Sequence, residues 1–137
     1  MTGTENTISM QDGTQRLTFT IRKMEPLRLE QWLTRALSLM VKDEDATEEN
    51  YFAAGRKLAE GGIWKLAALP DQEAARELGD QLLACCSRVL DSMEIACTTE
   101  NVNGFVQEVR TLFTLKNAAL KNNLEFLLRA ESERTIS

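Results

Sequence analysis

Residues 71–94 have the sequence DQEAARELGDQLLACCSRVLDSME, which contains the most regular hydrophobic pattern of the chain. Apolar residues recur there at steps of three and four, as they do on one face of an α-helix. This stripe consists of Ala75, Leu78, Leu82, Cys85, Cys86, Val89 and Met93. Asp71 follows Pro70 and is a favourable N-cap residue. The pattern therefore predicts one amphipathic helix through the whole stretch.

Two further regions show the same periodicity. Pro26 is suited to the first turn of a helix whose stripe is Leu29, Trp32, Leu33, Ala36, Leu37 and Met40. A long last helix, ending near Arg129, is predicted from Phe105, Val109, Leu112, Phe113, Leu120, Leu124 and Leu127. Between these regions, Thr47 can cap another helix, which Gly61 and Gly62 interrupt.

The amino-terminal part has a different pattern. Residues 1–15 are rich in small polar residues and predict a flexible segment. Leu17, Phe19 and Ile21 then alternate with polar residues, which predicts a strand. Residues 7–10 could pair with it through a turn at Asp12-Gly13, or the strand could pair with a second copy of the chain and form a homo-oligomer.

These elements predict a mainly α fold, a bundle of four or five helices with a short N-terminal β-strand or hairpin. A chain of 137 residues is the size of one domain. We therefore expect a single helical domain over residues 16–129, between a flexible segment at 1–15 and a frayed polar tail at 130–137.

The composition excludes several classes of protein. A net charge of −5 and a pI near 4.9 argue against nucleic acid as a partner, because phosphate contacts require clustered Lys and Arg. The chain has no apolar run of about 18 residues that could cross a membrane, and its first residues lack the pattern of a signal peptide. The sequence thus predicts a cytoplasmic protein with no membrane partner.

Metal binding and catalysis are not expected either. The chain has no histidine, and its three cysteines fit neither a zinc site nor a disulfide framework, so free thiols and no cofactor are predicted. Neighbouring carboxylates such as Glu48 and Glu49 are more typical of a solvated surface than of an acid and base pair. Cys85 and Cys86 lie on an apolar stripe, which favours packing over reactivity. The sequence predicts that the protein is not an enzyme.

Two groups of apolar residues are not obviously required by the predicted core and could instead lie at the surface. Leu115, Ala119 and Phe126 form a second strip on the last helix, which is either buried because that helix is central or docks a partner. In a continuous helix Trp64 would lie among charged residues, so the Gly61-Gly62 break either turns it inward or leaves it exposed as a binding anchor. Burial is favoured for both groups, but these four residues are the candidate partner-binding site.

Three stretches resemble a known family: residues 17–24 (LTFTIRKM), 82–86 (LLACC) and 106–115 (VQEVRTLFTL). In this order, and over about residues 16–129, the chain is similar to the tail assembly chaperones of long-tailed, siphovirus-type phages and prophages. The resemblance implies a protein without a cofactor in the host cytoplasm. Such a protein binds the tape measure protein, keeps it soluble and helps to recruit tail tube protein around it.

Two alternatives remain open at the level of sequence. A prophage-encoded regulatory adaptor that binds a host protein would be equally small, acidic and free of histidine. A structural virion subunit is the other alternative. The adaptor would form a tight complex with one host protein, and the virion subunit would remain in purified particles.

Overall fold

The computed structural model describes residues 5–136, and the side chains of residues 6–129. In this part of the chain five helices combine with a four-stranded antiparallel sheet, which is an α+β fold. The elements are β1 (Glu5–Asp12), β2 (Gln15–Arg22), α1 (Pro26–Met40), α2 (Glu48–Gly61), α3 (Ile63–Ala67), α4 (Gln72–Leu83), β3 (Cys86–Leu90), β4 (Met93–Ala96) and α5 (Val109–Ile136). The prediction of a mainly α bundle with one short strand or hairpin is therefore wrong.

The sheet has the strand order β1-β2-β3-β4. β1 and β2 form a hairpin with Asp12 opposite Gln15, and Gly13 in the turn has a φ of +61°. Within residues 1–15, which the composition predicts to be flexible, residues 5–12 thus form a strand. β2 then pairs with β3, so that Ile21 lies opposite Cys86 although the two residues are far apart in sequence.

Residues 84–96 differ most from the structure that the sequence predicts. The helix predicted through Met93 ends at Leu83, and the following residues form the β3–β4 hairpin with Leu90 opposite Met93. β2 presents Phe19 and Ile21 to the core and needs a neighbouring strand, because a two-stranded hairpin alone is marginally stable. Pairing with β2 therefore overrides the helical period of this segment.

The core lies between the helices and one face of the sheet, with α5 at its centre. Phe19 of β2, Leu58 of α2, and Leu78 and Leu82 of α4 are fully buried with three leucines of α5, Leu115, Leu120 and Leu124. The indole nitrogen of Trp32 in α1 donates a hydrogen bond of 3.1 Å to the Leu78 carbonyl. Each buried leucine contributes about 1.5–3 kcal/mol by leaving water.

None of the helices in residues 5–136 has the length and hydropathy required to cross a membrane.

The β1–β2 turn caps the start of α5. The buried carboxylate of Asp12 accepts hydrogen bonds from the backbone N–H groups of Gln107 and Glu108, at 2.8 and 2.9 Å, and from the hydroxyl of Thr111. Burial by itself would raise the pKa of Asp12, but these bonds and one from Gln15 lower it to about 2. The sheet thereby fixes where the first turn of α5 lies.

Candidate partner-binding surface

Gly62 separates α2 from α3, as the sequence predicts for the Gly61-Gly62 break. Its φ of 74° and ψ of −154° are accessible essentially to glycine alone, and a Cβ atom here would overlap the side-chain oxygen of Asn117. That oxygen accepts a hydrogen bond of 2.9 Å from the N–H of Ile63. Asn117 belongs to α5, so this bond holds the start of α3 against α5.

Trp64 is the second residue of α3 and lies on its outer side. Its neighbours Ile63 and Leu66 are buried, whereas Trp64 remains 62% exposed. The indole stacks on Phe113 of α5 with ring centroids 5.0 Å apart and an angle of 29° between the rings. The interpretation that the glycine break turns Trp64 inward is wrong, because the side chain is exposed. Its role as a binding anchor stays a prediction.

Two hollows flank this aromatic pair. The larger, of about 350 Å³, lies between α3 and the first turns of α5, and Val109 at its edge is 67% exposed. The smaller, of about 160 Å³, lies between α3, α4 and α5. Both are lined by Ile63 and Phe113, so they adjoin. We call this pair of hollows the Trp64 groove.

The structure does not bring the other predicted site residues to this groove. Leu115 and Ala119 are 0% exposed and belong to the core, because α5 is covered on that side by its neighbours. A buried side chain cannot contact a partner, so these two residues are removed from the candidate surface. Phe126 is 36% exposed but lies roughly 20 Å further along α5 than Phe113, at 1.5 Å per residue.

The exposed Val109 and the half-buried Phe113 line the groove but are not among the site residues predicted from the sequence. Both fall on the main apolar stripe of the last helix, which the pattern assigns to the core. Val109 is the first residue of α5, where the helix extends past the buried leucines. In the sequence, the signal for these two residues is their spacing of one helical turn shortly after the polar linker at residues 98–103.

The three cysteine thiols have raised pKa values. Burial raises the pKa of Cys97 to about 11 and also raises the pKa of Cys86 and of Cys85. Nucleophilic attack requires the thiolate, which these shifts disfavour at neutral pH. Among the residues that the structure describes, no group of three or more Cys, Asp or Glu side chains could hold a metal ion.

Comparisons of this chain with protein-family models, with curated proteins and with solved structures found no match.

Proposed function

We propose that this protein is a tail assembly chaperone of a long-tailed phage or prophage that holds the tape measure protein at the Trp64 groove. The observation that carries the proposal is the exposed side chain of Trp64, which stacks on the half-buried Phe113. A large aromatic side chain left in water beside an apolar hollow has little value for the monomer, whereas tryptophan is enriched among binding hot spots. The three stretches that resemble tail assembly chaperones suggest which partner is bound.

The groove can act by covering apolar surface. A tape measure protein is long and helical, and its apolar stripes would aggregate in the host cytoplasm if they were not covered. Burial of the exposed part of Trp64 alone contributes on the order of 2–3 kcal/mol, and Val109 adds to it. A small number of such contacts gives binding that is tight enough for protection yet reversible when tail tube protein assembles. No catalytic step is needed.

Co-expression with the tape measure protein of the same phage tests the proposal. The tape measure protein should remain soluble, and the two proteins should purify as one complex. Trp64→Ala should weaken the complex by about 30-fold, as expected for a hot spot of roughly 2 kcal/mol. Phe126→Ala is the matched control, because it removes an exposed aromatic ring elsewhere on α5 and should leave the affinity unchanged.

Other outcomes would contradict the proposal. If the unaltered protein neither binds nor solubilises the tape measure protein, this function is excluded. A tight complex with a single host protein would instead identify a regulatory adaptor. Retention of the protein in purified virions would identify a structural subunit, since a chaperone leaves before the particle is complete.

A further inference from the structure

We infer that the Trp64 groove binds an acidic amphipathic α-helix, an inference that rests on the proposed role of this groove as the partner site. The first argument is the charge of the groove. Its lining includes Arg76 of α4 and both Arg110 and Lys116 of α5, and none of the described residues that line it has a carboxylate. This is unexpected in a chain that has 21 acidic and 16 basic residues.

The three cationic side chains are positioned to interact with negative charges of a bound ligand. Arg76 is exposed, and the side chain of Arg110 is 82% exposed although Glu108 lies 3.9 Å away. The Lys116 side chain extends over Gly79, where the ammonium nitrogen lies 3.6 Å from the site of a Cβ atom. Apolar walls with cations at the rim complement a ligand that carries carboxylates beside its apolar residues.

The second argument concerns the backbone of the ligand. All residues that line the groove belong to α3, α4 or α5, so the groove presents no strand edge. An extended peptide would leave its N–H and carbonyl groups without partners against these apolar walls, whereas a helix satisfies them internally. From Val109 to Lys116 the groove is roughly 10 Å long at 1.5 Å per residue, which matches two turns of a bound helix.

Two designed helical peptides of about 18 residues test the inference. They share a leucine stripe at helical spacing and lack tryptophan, but one has Glu and the other Lys at the flanking positions. Binding is followed by the fluorescence of Trp64, since Trp32 is only 3% exposed. The acidic peptide should bind at least about tenfold more tightly. Its affinity should fall several-fold between about 0.02 M and 0.3 M salt.

Charge reversal provides the second arm of the experiment. The double variant Arg76→Glu and Arg110→Glu should reverse the preference, so that the basic peptide binds more tightly. The matched control is the double variant Lys42→Glu and Lys57→Glu, which changes the net charge by the same amount. Lys42 and Lys57 line a different hollow, between α1 and α2. This control should keep the preference for the acidic peptide.

The results separate this inference from the proposed function. Equal binding of both peptides, a preference for the basic peptide, or an unchanged preference in the Arg76 and Arg110 variant would overturn the inference. If Trp64→Ala nevertheless weakened the tape measure complex, the proposed function would stand. Conversely, a clear acidic preference in a protein that fails to bind the tape measure protein would support the chemistry of the groove and exclude that partner.

Discussion

The hydroxyl of Thr111 donates a hydrogen bond of 2.6 Å to the carboxylate of Asp12, which joins the first turn of α5 to the turn between β1 and β2. Side chains near the start of α5 also accept hydrogen bonds from the turn. Glu108 accepts one from the N–H of Gly13, and Gln107 accepts one from the N–H of Thr14, both at 3.0 Å. The free backbone N–H groups of the turn and of the helix start thus each donate to a side-chain oxygen of the other segment. This contact fixes the part of α5 that carries Val109 and Phe113.

Asp12 should make stability depend on acid pH. Its folded-state pKa of about 2 is below the ordinary value of 3.8, so its ionised form stabilises the fold above pH 3.8. This contribution is lost as the pH falls through about 4 to 2. Asp12→Asn should lower the free energy of unfolding at pH 7 by about 2–4 kcal/mol, because two backbone N–H groups and the Thr111 hydroxyl lose a charged, buried acceptor. Urea titrations of both proteins at several pH values measure the difference.

Asp43→Asn is a suitable control for that experiment. Asp43 is exposed in the short 3-10 turn between α1 and α2, so its replacement should change the free energy of unfolding by less than about 0.5 kcal/mol. If Asp12→Asn retained the acid-dependent loss of stability seen in the unaltered protein, other carboxylates would be responsible.

Alanine substitutions at two buried glycines should have opposite effects on stability. Gly62→Ala places a side chain at positive φ and against Asn117, which should cost about 1–3 kcal/mol or more. Gly79 lies within α4, where a Cβ atom would make ordinary contact with Lys116, so Gly79→Ala should stabilise by up to about 1 kcal/mol. Chemical denaturation measures both changes. A stable Gly62→Ala variant would show that the α2–α3 break does not need glycine.

The sequence predicted those elements whose pattern agrees with their tertiary contacts. Trp32, Leu78 and Leu124 lie on helices where the sequence predicts them and are buried in the core, and the Gly61-Gly62 break stands where the sequence places it. Residues 86–96 differ, because a short apolar run fits a helical stripe as well as a strand. The pairing of β3 with β2 is long-range, and local periodicity contains no information about such a pairing.

The candidate site was predictable only in part. Trp64 stood out because a large aromatic residue falls among charged neighbours, and the structure leaves it exposed. Leu115 and Ala119 were assigned to a second strip by helical angle alone. Which sides of a helix are covered depends on the number of elements around it, and α5 is enclosed by α2, α4 and the sheet. Burial of this kind follows from the α+β topology, which local sequence patterns did not predict.

The three thiols should differ in reactivity under native conditions. Cys86 and Cys97 are buried and Cys85 is partly exposed, so a thiol reagent should label Cys85 first. Burial raises the pKa of all three, and reaction should therefore be slow at pH 7 and accelerate as the pH rises. Mass spectrometry of the labelled peptides measures the order, with urea-unfolded protein as the control in which all three react. Rapid labelling of Cys86 in the folded protein would contradict its place in the core.

Glutamate substitutions at two apolar residues of α5 distinguish the core from the partner surface. Leu115→Glu buries an unpaired carboxylate among leucines and should cost more than about 4 kcal/mol, enough to unfold much of the protein. Val109→Glu lies at the exposed first turn of α5, where the helix dipole favours a negative charge, and should change stability by less than about 0.5 kcal/mol. Only the second variant should remain folded by circular dichroism while losing affinity for the tape measure protein. A folded Leu115→Glu variant that loses binding would return Leu115 to the partner surface, and a folded Val109→Glu variant with full affinity would place the partner away from the Trp64 groove.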